Sequence, residues 1–115
     1  MNIRQKIKDA QDIKNEVVDI PEWDVKVEIQ TMTAKQRAEL LTASVGEDGK
    51  FIQKNFQAGL IIACCYDPET KEKIFSPNDA EWLMEKSAGP IENLASKISR
   101  ISGLSKLAME ETEKN

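Results

Sequence analysis

The segment 51–66, FIQKNFQAGLIIACCY, constrains this chain more than any other part of it. It holds two of the three phenylalanines, both cysteines and the densest apolar run, residues 60–65. Such a run belongs inside a core, because apolar surface left in water is unfavourable by about 25 cal/mol per Å². Phe51, Ile52, Phe56, Leu60 and Ala63 keep helical spacing, and Asp48-Gly49 breaks the chain before them. As a helix the segment would span roughly 24 Å, enough to cross a small domain. A short core strand over 60–66 is the alternative, since periodicity does not separate the two for short apolar runs.

The flanking segments are amphipathic. Residues 2–16 place Ile3, Ile7, Ala10 and Ile13 on one side and predict an N-terminal helix capping the core. Over 17–31 the period changes to two: Trp23, Val25, Val27 and Ile29 face one way, and Asp24, Lys26, Glu28 and Gln30 the other. That is a strand, with Pro21 holding it to an edge or an end. A lone strand is unstable, so it needs residues 17–20, the region 73–75 or another chain as its partner.

Thr33 and Gln36 have the form of a capping box, opening a helix to about Val45. Ser76-Pro77-Asn78-Asp79 is a second helix start, for a helix ending near Ser87 before Gly89-Pro90. Ile91, Leu94, Ala95, Ile98 and Ile101 then make a helical stripe that Gly103 ends. Residues 104–115 form a last helix, frayed over 109–115. These readings give an α+β fold, mostly α, in one domain over 1–115: several helices around a central buried helix (51–66), with a small β element.

Composition removes most chemistries. There is no histidine, so the commonest general base and metal ligand are both missing. Cys64 and Cys65 are neighbours, a spacing that strains a bridge, and among Ile and Ala they read as small hydrophobes in a reducing compartment. No glycine-rich phosphate loop is present, and Asp67-Pro68-Glu69 lacks the spaced acids of a calcium loop. The net charge of −4 disfavours a phosphate-backbone binder. The start of the chain has no apolar signal region, and no run is long enough to span a membrane. The expectation is a cytoplasmic binding or assembly module, not an enzyme, with no cofactor and no metal.

The order of motifs resembles the tail assembly chaperones of long-tailed phages and prophages of Gram-positive bacteria. Those motifs are Pro21-Glu22-Trp23-Asp24-Val25-Lys26-Val27, the Thr33-Ala34-Lys35-Gln36-Arg37 helix start and an apolar helix ending in Tyr66-Asp67-Pro68. Ile74-Phe75, Asp79-Ala80-Glu81-Trp82-Leu83, Ile101-Ser102-Gly103-Leu104-Ser105 and Glu113-Lys114-Asn115 follow in turn. Where relatives often carry an Asp-Gly turn before the Phe, this chain has Glu69-Thr70-Lys71-Glu72, which implies a longer or looser hairpin.

The resemblance implies a non-enzymatic protein of the host cytoplasm, absent from the mature virion. It would bind the apolar, helical tape-measure protein until tail-tube subunits replace it, with tail-tube contacts and self-association also implied. Candidate partner-binding residues are Trp23, Trp82, Leu104, Leu107 and Met109, each equally suited to a core. Many such chaperones are made in two lengths by ribosomal frameshifting, and Glu-Lys-Asn can be encoded by an unbroken run of A. The alternative function is a small DNA-binding regulator of a mobile element, using a helix-turn-helix-like unit at 77–101.

Overall fold

Pro21 ends one strand, and the alternating residues after it make another, so the region folds back on itself as a hairpin. In a computed structural model, which describes residues 2–104, β1 (Asn15–Ile20), β2 (Val25–Gln30) and β3 (Cys65–Tyr66) form one antiparallel sheet in that order. The hairpin turn is a 3₁₀ turn, Pro21–Trp23, closed by Asp24 in the left-handed region (φ 52°), which Asp tolerates. Val18 opposes Val27 and Ile20 opposes Val25, and one face of the sheet carries Val18, Ile20, Val27 and Ile29 into the core. The strand thus pairs within the chain, with 15–20 and 65–66. Residues 73–75 contribute a single bridge, Lys73 to Tyr66.

The central segment splits. α3 (Gln53–Cys64) buries Phe56, Leu60, Ile61 and Cys64, and the next two residues are β3, so both readings of its end are partly right. α2 (Ala34–Ala43) starts at the expected capping box: Gln36 N donates to Thr33 Oγ1 at 3.1 Å, and Thr33 N donates to Gln36 Oε1 at 2.9 Å. It stops short of Val45, which instead bridges to Phe51 across the turn containing Gly49 (φ 78°). α2 lies close on α3 because Gly59 has no Cβ; one added there would overlap Leu40 Cδ1.

The helix expected from Ser76 is mostly not α-helical. A 3₁₀ turn, Pro77–Asp79, leads into α4 (Ala80–Leu83), a single turn that three-residue hydrogen bonds then close. α5 (Ala88–Ile101) begins earlier than expected, taking Gly89-Pro90 into its first turn, where the missing proline N–H has no helical partner to lose. Ile91, Leu94, Ala95 and Ile98 pack it on the core, and Gly103 (φ 74°) ends it as read.

The N-terminal helix differs most from expectation. α1 (Ile3–Asp9) is half the expected length, and none of its residues is buried. Ala10 is extended, and Lys14 is held against Thr31, its N donating to Thr31 Oγ1 and its O accepting from Thr31 N, each at 2.9 Å. Residues 15 and 16 already belong to β1. The expected helix over 104–115 and its frayed end lie outside the described residues beyond Leu104.

Candidate functional site

Three elements converge on an open apolar groove. The β1–β2 turn supplies Trp23 and the start of β2 supplies Val25; the chain between β3 and α4 supplies Ile74 and Phe75; α4 supplies Trp82. The groove has two joined parts. One, of about 570 Å³, lies between Trp23, Val25 and the 67–75 segment, and the other, of about 450 Å³, lies between Trp23, Phe75 and Trp82. Val25, Ile74 and Trp82 are 45%, 41% and 47% exposed, and Trp23 and Phe75 are half-buried. A cluster of two tryptophans, a phenylalanine and two aliphatics in water is a surface suited to another apolar surface.

Local hydrogen bonding sets the groove's shape. Asp79 Oδ2 accepts from Ser76 N at 2.8 Å, and Asp79 Oδ1 accepts from Trp82 Nε1 at 2.9 Å. The first bond caps the turn. The second points the indole toward Phe75, with ring centroids 6.0 Å apart and planes tilted by 55°. The backbone N–H of Ser76, helped by the indole N–H, holds the Asp79 carboxyl below its usual range.

The opposite wall rests on Glu28. Alternation places it outward with Lys26 and Gln30, yet the residue is only 3% exposed. Lys71 Nζ donates to Glu28 Oε1 at 2.7 Å, and Gln30 Nε2 donates to Oε2 at 3.3 Å. The Lys71 bond outweighs burial and holds the Glu28 carboxyl below its ordinary value. This clamp fastens the hairpin whose arms are β3 and 72–75, which carries Asp67, Pro68, Ile74 and Phe75 to the groove. The hairpin is not loose. Asp67 N donates to Glu72 O at 2.8 Å, Asp67 Oδ1 caps Glu69 N at 2.8 Å, and Lys71 takes the left-handed conformation (φ 65°) that glycine takes in Asp-Gly turns. No pattern in the sequence marks the Glu28–Lys71 pair, whose members are 43 residues apart.

Of the candidate partner residues, Trp23 and Trp82 line the same groove. Leu104 is half-buried at the end of α5, beside the far end of β2, where Ser102 Oγ accepts from Met32 N at 2.9 Å. The six residues of β2, about 20 Å, separate it from Trp23. Leu107 and Met109 lie outside the described residues.

Cys64 and Cys65 are buried, and burial pushes their thiols up to about 11 and about 12. Among the described residues no cluster of three or more His, Cys, Asp or Glu is placed to hold a metal ion, and no helix is long and apolar enough to cross a membrane. The unit at 77–101 has a first helix of one turn, and Arg100 on the second is engaged by Glu16 at 2.7 Å.

The architecture matches a solved one. The chain is similar to the bacteriophage HK97 tail assembly chaperone, with a TM-score of 0.57 over 85% of this chain and 95% of that one. The fold is shared. Sequence identity is 16%, and no family model and no curated protein matches the sequence.

Proposed function

We propose that this chain is a tail assembly chaperone of a long-tailed phage or prophage, which acts by binding and not by catalysis. The observation that carries the proposal is the structural likeness to the HK97 tail assembly chaperone across nearly the whole of both chains. The order of sequence motifs leads to the same family without reference to coordinates.

Its client in this reading is the tape-measure protein, a long, apolar, helical chain, with tail-tube subunits displacing the chaperone later. The groove between Trp23, Phe75 and Trp82 is the surface offered to the client, since aromatic rings beside aliphatic side chains suit the apolar face of a helix. The work takes place in the host cytoplasm, and the chaperone leaves before the virion is complete. Glu113-Lys114-Asn115, outside the described residues, marks the frameshift site in this reading.

Co-expression with the tape-measure protein tests it. The tape-measure protein should stay soluble and co-purify with this chain. A tape-measure protein that remains insoluble, with nothing co-purifying, defeats the proposal. Salt-dependent binding to duplex DNA would instead favour a regulator built on 77–101. Peptides reading past Asn115 in a mass spectrum of the expressed gene would establish the longer form.

A further inference from the structure

α1 is an amphipathic helix whose apolar face lies open. Ile3 and Ile7, four residues apart, share that face, yet they are 76% and 70% exposed. Arg4 follows Ile3, and Lys6 and Lys8 flank Ile7. The other end of the chain, outside the described residues, has the same pattern with the opposite sign: Leu107, Ala108 and Met109 are followed by Glu110, Glu111 and Glu113. We propose that residues 107–109 dock on the Ile3–Ile7 face of α1 in the same chain, with the acids beyond them against Arg4, Lys6 and Lys8.

The two ends of the chain leave the body, residues 15–104, at one point. The Thr31 hydroxyl donates between Lys14 O at 3.2 Å and Ile101 O at 3.3 Å, and Met32 N donates to Ser102 Oγ at 2.9 Å. The arm before Lys14 and the segment after Leu104 therefore start side by side. From Lys14 to Ala10 the chain covers at most about 14 Å, and three helical steps to Ile7 add about 4.5 Å. From Leu104, Leu107 is within about 10 Å and Met109 within about 17 Å. The two apolar segments have matching reach from a common origin.

Charge selects the arm over the body. Residues 2–14 carry four basic against two acidic side chains, net +2, and residues 15–104 carry ten basic against fifteen acidic, net −5. Residues 105–115 carry two basic against three acidic, net −1, so the body repels them and the arm attracts them. Tethering selects the same chain over a second copy, because segments joined over a short span meet at about millimolar effective concentration. One contact then covers both apolar surfaces, and a partner that takes Leu107 and Met109 uncovers Ile3 and Ile7. It requires no tail protein, so the proposal stands or falls apart from the client reading.

The test uses the full chain, with a photo-reactive apolar residue in place of Ile3 and a mixture of isotopically light and heavy chains. Trypsin cuts after Arg4, Lys106 and Lys114, so the expected product joins residues 1–4 to residues 107–114, both light or both heavy. L107D/M109D should lower its yield at least about tenfold, the scale for taking two apolar side chains out of a contact. K6E/K8E, which takes residues 2–14 from net +2 to −2, should lower it several-fold. Because α1 has no buried residue, K6E/K8E should keep the wild-type melting curve. A light–heavy product, crosslinks to residues 15–104 in place of 107–114, or a yield indifferent to either pair of substitutions would overturn the proposal.

Discussion

Asp79 holds Trp82 in place: its carboxylate accepts the indole N–H at 2.9 Å while capping Ser76 with its other oxygen at 2.8 Å. The ring is therefore presented in one orientation although it is half exposed, which lowers the entropy lost when a partner covers it. Trp82→Ala should weaken binding of a tape-measure helix by about tenfold to a hundredfold, the range of an aromatic anchor, while leaving the melting temperature almost unchanged. Asp79→Ala keeps the ring but frees it, and should give a smaller loss of affinity. Isothermal titration with a tape-measure segment checks both; equal affinity for wild type and Trp82→Ala would remove this groove from the client interface.

Glu28 and Lys71 make stability depend on pH in a way that one substitution reverses. In the native chain the Lys71 bond keeps the Glu28 carboxyl below its unfolded value, so the folded state gains stability at pH values above about 4.5, lost as acid protonates the carboxylate. Lys71→Met removes the bond and leaves burial as the leading influence, which raises the carboxyl instead. The variant should be less stable at pH 7 by about 1–3 kcal/mol, the scale of a hydrogen bond to a charged group. Its Glu28 contribution should then become less unfavourable as pH falls toward about 4.5 from above, whereas the wild type loses its own contribution only below about 4.5, so the difference between the two shrinks steadily as pH falls. Urea melts of both proteins across that range read the sign directly.

How much of this was legible in the sequence follows from the range of the forces involved. The Thr33–Gln36 capping box, the Pro21 stop and the α5 stripe each depend on residues within a turn or two, and each lies where the residues alone place it. The strand at 25–30 was legible too, but its pairing with 65–66 depends on where α3 ends, which a continuous apolar run conceals. Glu28 reads as outward because alternation knows nothing of a hairpin folding over it from residue 71. A helix over 2–16 overshoots α1 because Ala10 and Ile13 fit a helical stripe, while the bonds between Lys14 and Thr31 commit the chain to the sheet. Nothing in the sequence links Trp23 to Trp82; that they share one groove is a fact of tertiary structure.

Gly59 and Leu40 should be coupled. Gly59→Ala gains about 1 kcal/mol of helix propensity but drives a methyl into Leu40 Cδ1, and overpacking costs about 1–3 kcal/mol. The net expectation is a loss of about 1 kcal/mol. Leu40→Ala alone opens a cavity between α2 and α3 and should cost about 2–4 kcal/mol. In the double variant the added methyl meets no leucine, so the measured loss should fall below the sum of the two singles. Denaturant melts of the four proteins complete the cycle; strict additivity would show that the two helices do not meet at these residues.

The cysteines give a probe of local opening in the middle of the core. Both thiols are buried and raised, to about 11 and about 12, so at pH 8 only about one in a thousand of the first and one in ten thousand of the second is thiolate, the reactive form. An alkylating reagent should therefore label the native chain at least about a hundredfold more slowly than the chain in denaturant, from ionisation alone. Burial slows it further, because Cys64 ends α3 and Cys65 begins β3, and neither is reached without separating helix from sheet. Labelling of the two sites should thus rise together with denaturant as the unfolding transition is approached. Fast labelling of either thiol under native conditions would mean that the junction of α3 and β3 opens locally, and that the segment 51–66 is not the fixed centre on which the other elements lie.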